Sequence, residues 1–91
     1  MRIYRFIVKG KVQGVYYRKT IASKMNHLNI AGYVKNLPNG DVEVVLEIPE
    51  DGLISIKNIL KEGSRRSIVE SIEEADIRGD MKLSKDFEIK Y

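Results

Sequence analysis

Residues 41–48 carry the strictest period in this 91-residue chain: Val42, Val44, Leu46 and Ile48 alternate with Glu43, Val45 and Glu47. Alternation of this kind sends one set of side chains into a core and the other toward water, the mark of a half-buried strand. Pro38-Asn39-Gly40 just before it is a tight-turn signal, and residues 32–37 ahead of the turn read as a partner strand, so the two form a hairpin. A hairpin with one apolar face has to be covered, and the remaining segments must supply the cover.

The chain begins with a similar strand. In residues 3–9, Tyr4, Phe6 and Val8 share one face and Arg5 and Lys9 the other, with Gly10 expected to end the strand. From Tyr17 the period lengthens. Tyr17, Ile21, Met25 and Leu28 follow steps of four, four and three, a single helical stripe with Lys19, Lys24 and Asn26 turned toward water. Asn29, tolerant of the left-handed conformation, is expected to close that helix.

Beyond the hairpin, Pro49 ends the strand and Asp51 is placed to cap a second helix. Its apolar stripe is Leu53, Ile56, Ile59 and Leu60, and Gly63 closes it. Ile68–Ile77 reads as a fourth strand. After a polar connection, Phe87, Ile89 and Tyr91 alternate with Glu88 and Lys90 as a short extra C-terminal strand. With right-handed crossovers, the order strand-helix-strand-strand-helix-strand puts both helices on the same face of an antiparallel sheet. The expected fold is therefore α+β, a ferredoxin-like two-layer sandwich.

At 43% hydrophobic content the chain can bury one core, so residues 1–91 are expected to form a single domain. The absence of cysteine excludes a disulfide framework, a zinc–thiolate site and a thiol nucleophile. Residues 1–9 are interrupted by Arg5 and too short for a signal h-region, and no stretch approaches the length of a membrane span. A soluble cytoplasmic protein with no membrane partner is expected.

Charge is distributed unevenly. Residues 1–40 hold eight Lys/Arg and no Asp/Glu, whereas residues 41–91 hold the other eight basic and all thirteen acidic residues, so the two parts carry +8 and −5. An anionic ligand is expected to meet the first part. Within it, Gly10-Lys11-Val12-Gln13-Gly14-Val15-Tyr16-Tyr17-Arg18 joins the first strand to the first helix. Two glycines allow a sharp turn with N–H groups aimed inward, and a loop of this kind running into a helix N-terminus is an anion cradle. Arg18 and Lys19 oppose the helix macrodipole at a cost of a few tenths to about 1 kcal/mol each, unless an anion is bound there.

These residues closely resemble the signature of the acylphosphatase family, which ends in an aromatic residue and arginine. A second block agrees: Gly32-Tyr33-Val34-Lys35-Asn36, then Asn39-Gly40-Asp41-Val42-Glu43, resembles the family's glycine-aromatic-valine-x-asparagine segment and its hairpin. The resemblance spans residues 3–48 and continues more loosely to the C-terminus. It implies hydrolysis of small-molecule acyl phosphates without cofactor or metal, with inorganic phosphate as product and competitive inhibitor, by a monomer. It further implies that Arg18 and Asn36 are catalytic and that Gln13, Gly14, Val15, Tyr16, Tyr17 and Arg18 bind the phosphate.

The chemistry of these residue types agrees with that assignment. A carboxylate leaves without help from a general acid, so the task is positioning and charge stabilisation. Loop amides and the Arg18 fork suit the spread charge on phosphoryl oxygens. The Asn36 amide can accept a hydrogen bond from water and so aim it, but cannot take its proton, which leaves a substrate phosphate oxygen as the base.

Three positions depart from the family pattern. Tyr17 stands where phenylalanine is usual, and its hydroxyl needs a partner if buried. Asn29 stands where glycine often closes the first helix, and Ser64 where proline is common, which is expected to leave that loop freer. His27 reads as a bystander near a helix end, and Glu70, Glu73, Glu74 and Asp76 as a solvated acidic edge rather than a metal site.

The same element order also builds RNA-recognition modules, but residues 41–48 hold no aromatic for base stacking and turn Glu43 and Glu47 outward, so no nucleic-acid partner is expected. The alternative function is a non-catalytic domain of acylphosphatase type that binds or interacts without turnover.

Overall fold

The computed structural model describes residues 1–77 and 81–91; residues 78–80, in the expected polar connection, lie outside the described residues. Strand β1 (Arg2–Lys11) is followed by helix α1 (Tyr17–His27) and the hairpin strands β2 (Gly32–Asn36) and β3 (Val42–Ile48). A 3-10 turn (Glu50–Gly52), helix α2 (Leu53–Glu62), and strands β4 (Ile68–Ile77) and β5 (Phe87–Lys90) complete the order. The sheet runs β4-β1-β3-β2-β5. Both helices share one core with its inner face, which is the expected two-layer sandwich.

The period-two reading of β3 places its residues as expected. Val42, Val44, Leu46 and Ile48 are at most 3% exposed and pack with Tyr4, Phe6 and Val8 of β1, Ile21 and Met25 of α1, and Ile56 and Leu60 of α2. Burying each such aliphatic side chain stabilises the fold by roughly 1.5–3 kcal/mol, more than the whole ~1 kcal/mol span of strand propensity. Packing rather than propensity therefore holds β3 at the centre.

On the outer face Val45 is 1% exposed. Its cross-strand neighbours Arg5 and Tyr33 flank it. Arg5 Nε donates to Glu43 at 2.6 Å and the Tyr33 hydroxyl donates to the same carboxylate at 3.0 Å. Burial, then the Glu43 carboxylate, push the Tyr33 hydroxyl up to about 12. Lys9 Nζ donates to Asp41 at 3.2 Å. Arg5 and Lys9, two of the eight cations in residues 1–40, are thus paired across the sheet.

Three expectations need correction. Gly10 does not end β1, which continues to Lys11 through a register shift between Lys9 and Gly10 against β4. At this bulge Gly10 has φ +130°, and a Cβ there would lie 2.2 Å from the Ile68 carbonyl oxygen. Asp51 does not cap α2. Pro49 turns the chain so that the Gly52 amide donates to its carbonyl at 2.9 Å, Asp51 is taken into the 3-10 turn, and Gly52 precedes the helix with no side-chain cap. The sheet is also not wholly antiparallel, because β5 joins the edge parallel to β2.

That added strand is fastened by Asn26. Exposed to water as expected, it also donates through Nδ2 to the Phe87 carbonyl at 3.1 Å and accepts the Phe87 amide at 2.7 Å. Asn29 does close α1. At φ +58° its amide donates to Asn26 and the Ile30 amide to Met25, the paired bonds of a left-handed helix stop. Among the described residues no helix is long and apolar enough to cross a membrane.

The Gly10 bulge gives the first prediction. Gly10→Ala forces a Cβ into the β4 backbone at a φ that L residues rarely adopt, and is expected to cost about 2 kcal/mol or more. Urea denaturation monitored by circular dichroism reads the loss, and an unchanged midpoint would contradict the close approach.

Candidate active site

The segment that leaves β1 is held from beneath. Val12 and Val15 are buried at 1% and 5% exposure and anchor the loop to the core, while Gly14 and Tyr16 line a cleft above it. The backbone turns twice through the left-handed region, at Gly14 (φ +72°) and Tyr16 (φ +63°). Glycine adopts that conformation freely; tyrosine does so at a cost of roughly 1–2 kcal/mol. The Tyr16 ring points to solvent, 70% exposed.

Helix α1 starts directly after this turn. Its first intrahelical bond runs from the Thr20 amide to the Tyr16 carbonyl at 3.0 Å. The amides of Tyr17, Arg18 and Lys19 lie ahead of it, with no side-chain cap and no acid in the first turn. Dipole, three uncapped amides and two cations converge at one point. Among the described residues neither Arg18 nor Lys19 enters an ion pair, in contrast to Arg5 and Lys9.

The cleft has a volume of about 580 Å³. Gly14, Tyr16, Tyr17, Arg18 and Lys19 form one wall, Asn36 comes from the end of β2, and Ile89 and Tyr91 come from β5 and the residue beyond it. The structure therefore brings Arg18 and Asn36 together. Arg18 Nη1 donates to the Lys90 carbonyl at 3.0 Å, and its guanidinium lies 4.7 Å from the centre of the Tyr91 ring. The fork is oriented by two contacts that leave its other N–H groups available. Asn36 Oδ1 is buried and has no hydrogen-bond partner among the described residues. An orphaned acceptor of this kind costs about 1–3 kcal/mol; the buried Tyr4 hydroxyl also has no partner among the described residues, but it lies in the core and does not line the cleft.

Not every residue expected to bind phosphate reaches the cleft with its side chain. Gln13 turns away: its Nε2 donates to both the Leu37 and Asp41 carbonyls at 2.8 Å, pinning the loop to the hairpin that carries Asn36. The Val15 side chain belongs to the core. The Tyr17 ring is in the core as well, so for these three only backbone groups remain to meet a ligand. Gly10 and Lys11, expected in the loop, belong to β1.

The three departures from the family pattern are resolved by their contacts. The Tyr17 hydroxyl donates to the Leu60 carbonyl at 2.8 Å, one of the carbonyls left over at the end of α2. Burial pushes its ionisation far above the usual range, so it remains a donor. Ser64 does not leave its loop freer. Its hydroxyl donates to the Val15 carbonyl at 2.6 Å and its amide donates to Ser67 Oγ at 2.9 Å, a bond proline could not make.

His27 sits exposed in the last turn of α1, away from the cleft. On exposed β4, Asp76 meets Arg2 at 3.2 Å, Glu73 meets Lys9 at 3.8 Å, and Glu74 meets Lys57. Among the described residues no three His, Cys, Asp or Glu side chains converge on a point. Lys19, read in the sequence as a cation at the anion site, does line the cleft, and the cleft residues missing from the sequence reading are Ile89 and Tyr91. The alternation of residues 87–91 was the only signal for the last two, and it does not say which strand they join.

Comparison with known proteins agrees with this geometry. A family model described as Acylphosphatase matches residues 4–89. A protein named acylphosphatase from Dehalococcoides mccartyi is 42% identical over 92 residues, covering 100% of each chain. One of the same name from Thermus thermophilus is 44% identical over 78 residues, covering 80% of this chain and 89% of the other. The crystal structure of acylphosphatase from Bacillus subtilis superimposes with a TM-score of 0.90 at 37% identity, covering 100% of both chains. A family model matched over nearly the full length, full-length relatives at this identity and a superimposable structure agree that the chain belongs to the acylphosphatase family.

Proposed function

We propose that the chain hydrolyses acyl phosphates, the mixed anhydrides of carboxylic and phosphoric acids, by attack of water on phosphorus, with Arg18 and Asn36 as catalytic residues and no metal ion. The observation that carries this reading is that Asn36, whose buried Oδ1 has no partner among the described residues, lines the same cleft as the Arg18 fork and the uncapped start of α1. The cationic wall suits the phosphoryl oxygens, and the orphaned acceptor suits one O–H of a water molecule. The acyl group would extend along the open side past Tyr16 and Tyr91.

In the reaction, backbone amides of residues 13–18 and the Arg18 N–H groups hold the three phosphoryl oxygens. As the P–O bond to the acyl group breaks, its electron pair leaves on the carboxylate, a good leaving group that needs no proton. Charge on the equatorial oxygens is met by donors already in place. A water molecule donating to Asn36 Oδ1 keeps a lone pair aimed at phosphorus. Its proton passes to a phosphoryl oxygen, because Asn36 cannot accept one. The products are a carboxylate and inorganic phosphate, and the latter fits the same cradle as a competitive inhibitor. A monomer in the cytoplasm is the working unit of this reading.

Arg18 and Asn36 should fail in different ways. Arg18→Ala and Arg18→Lys are both expected to lower kcat/KM on benzoyl phosphate by about 10²–10³-fold and to weaken phosphate inhibition, because lysine offers a point charge in place of the fork. Asn36→Ala should lower kcat comparably while keeping the phosphate inhibition constant, since it meets only the nucleophile. Equal loss of phosphate affinity in Asn36→Ala would move that residue into the cradle. Full activity is further expected to survive exhaustive EDTA treatment. Loss with EDTA and recovery with Mg²⁺ would overturn the metal-free reaction.

A further inference from the structure

We infer that Ser64 is a positioning residue for the phosphate cradle: its hydroxyl holds the Val15–Tyr16 peptide so that the Tyr16 N–H faces the cleft. This rests on the reading above that the loop amides meet the phosphoryl group. Ser64 Oγ donates to the Val15 carbonyl at 2.6 Å. Ser64 lines a separate groove with Thr20, Lys24 and Arg65, none of which lines the cleft. A trans peptide is planar and its C=O and N–H point in opposite directions. A Val15 carbonyl drawn toward Ser64 therefore turns the Tyr16 amide toward the cleft.

The backbone at Tyr16 shows why such a restraint matters. Tyr16 has φ +63°, a conformation costly for a side-chain-bearing residue. Rotating the Val15–Tyr16 peptide by half a turn would change the sign of that φ and relieve the strain, as in the interchange of type I and type II turns. It would also aim the Val15 carbonyl, an acceptor, at the place where an anion must sit. The Ser64 bond breaks in that flip and so opposes it.

Ser64 is itself fixed. Its amide donates to Ser67 Oγ at 2.9 Å, Ser67 Oγ donates to the Ser64 carbonyl at 2.9 Å, and the Ser67 amide donates to the same carbonyl at 3.2 Å. The preceding Gly63 packs against the Tyr17 ring, so the turn is seated on the start of α1. The restraint thus comes from a rigid neighbour.

The test pairs enzyme inhibition with the amide resonances of ¹⁵N-labelled protein, using inorganic phosphate as the probe. Loss of one such hydrogen bond corresponds to roughly a fivefold to tenfold change. In Ser64→Ala the phosphate inhibition constant should rise by about that factor and the phosphate-induced shift of the Tyr16 amide should shrink. Ser64→Thr, which keeps the hydroxyl, should restore both. Ser67→Ala, which loosens the same turn but leaves the bond to Val15, should change the constant by less than about twofold. If the Tyr16 amide of the unmodified protein does not respond to phosphate, the cradle reading itself falls. If it responds equally in the unmodified protein and in Ser64→Ala, with the same inhibition constant, or if Ser67→Ala weakens phosphate as much as Ser64→Ala, the role of Ser64 is overturned and the cradle stands.

Discussion

Val42 is paired with Val8 on one side and with Asn36 on the other, and everything in the cleft depends on that double register. Because β3 is antiparallel to both neighbours, β1 and β2 run in the same direction and their carboxyl ends meet at one edge of the sheet. The loop that follows β1 and the asparagine that ends β2 therefore lie side by side. A one-residue slip of either pairing would turn Val42, Val44 and Leu46 out of the core and carry Asn36 to the opposite face. The apolar stripe that fills the core also sets the position of the residue assigned to aim water.

At this edge the molecule accepts several local costs. Tyr16 is left-handed, the amides that open α1 are uncapped, two cations stand at the positive end of a helix, and Asn36 Oδ1 has no partner among the described residues. Each is unfavourable by something of order 1 kcal/mol, and together they are tolerated only because neighbouring contacts restrain them. Gln13 ties the loop to the hairpin, Tyr17 ties the start of α1 to the end of α2, Ser64 ties the loop to the turn beyond α2, and Lys90 with Tyr91 orients Arg18. These contacts reach the loop and the start of α1 from the hairpin, from α2 and the turn beyond it, and from the C-terminal strand. A phosphoryl group placed there would meet donors that need no further arrangement, which is the condition for electrostatic stabilisation of a transition state.

The parts legible in the sequence were those governed by local rules. The period of Val42, Val44, Leu46 and Ile48 identified a central strand, the stripe of Tyr17, Ile21, Met25 and Leu28 identified a helix, and Asn29 marked its end, because each depends on geometry within a few residues. Leu28, however, falls just past the last turn of that helix and is exposed. Local chemistry also pointed to the loop before Arg18 as an anion cradle, while Asn36 took its role from the family resemblance. What stayed hidden was set by partners distant in the chain. Nothing local says that β5 lies parallel to β2 and delivers Tyr91 to Arg18, or that Asn26 would clamp Phe87. Gly10 looked like a strand end, although it is a bulge required by the approach of Ile68. Ser64 looked like a loosened proline position, although its hydroxyl and amide are both engaged by residues the local sequence does not identify.

The central claim is that this edge grips the phosphoryl group and aims water at phosphorus, so the direct measurement is where the oxygen of that water goes. Benzoyl phosphate hydrolysed in H₂¹⁸O should yield inorganic phosphate carrying one labelled oxygen and an unlabelled benzoate, as read by mass spectrometry of both products. Label in the benzoate instead would mean that water attacks the carbonyl carbon, and the account of Arg18, Asn36 and the loop amides would be contradicted.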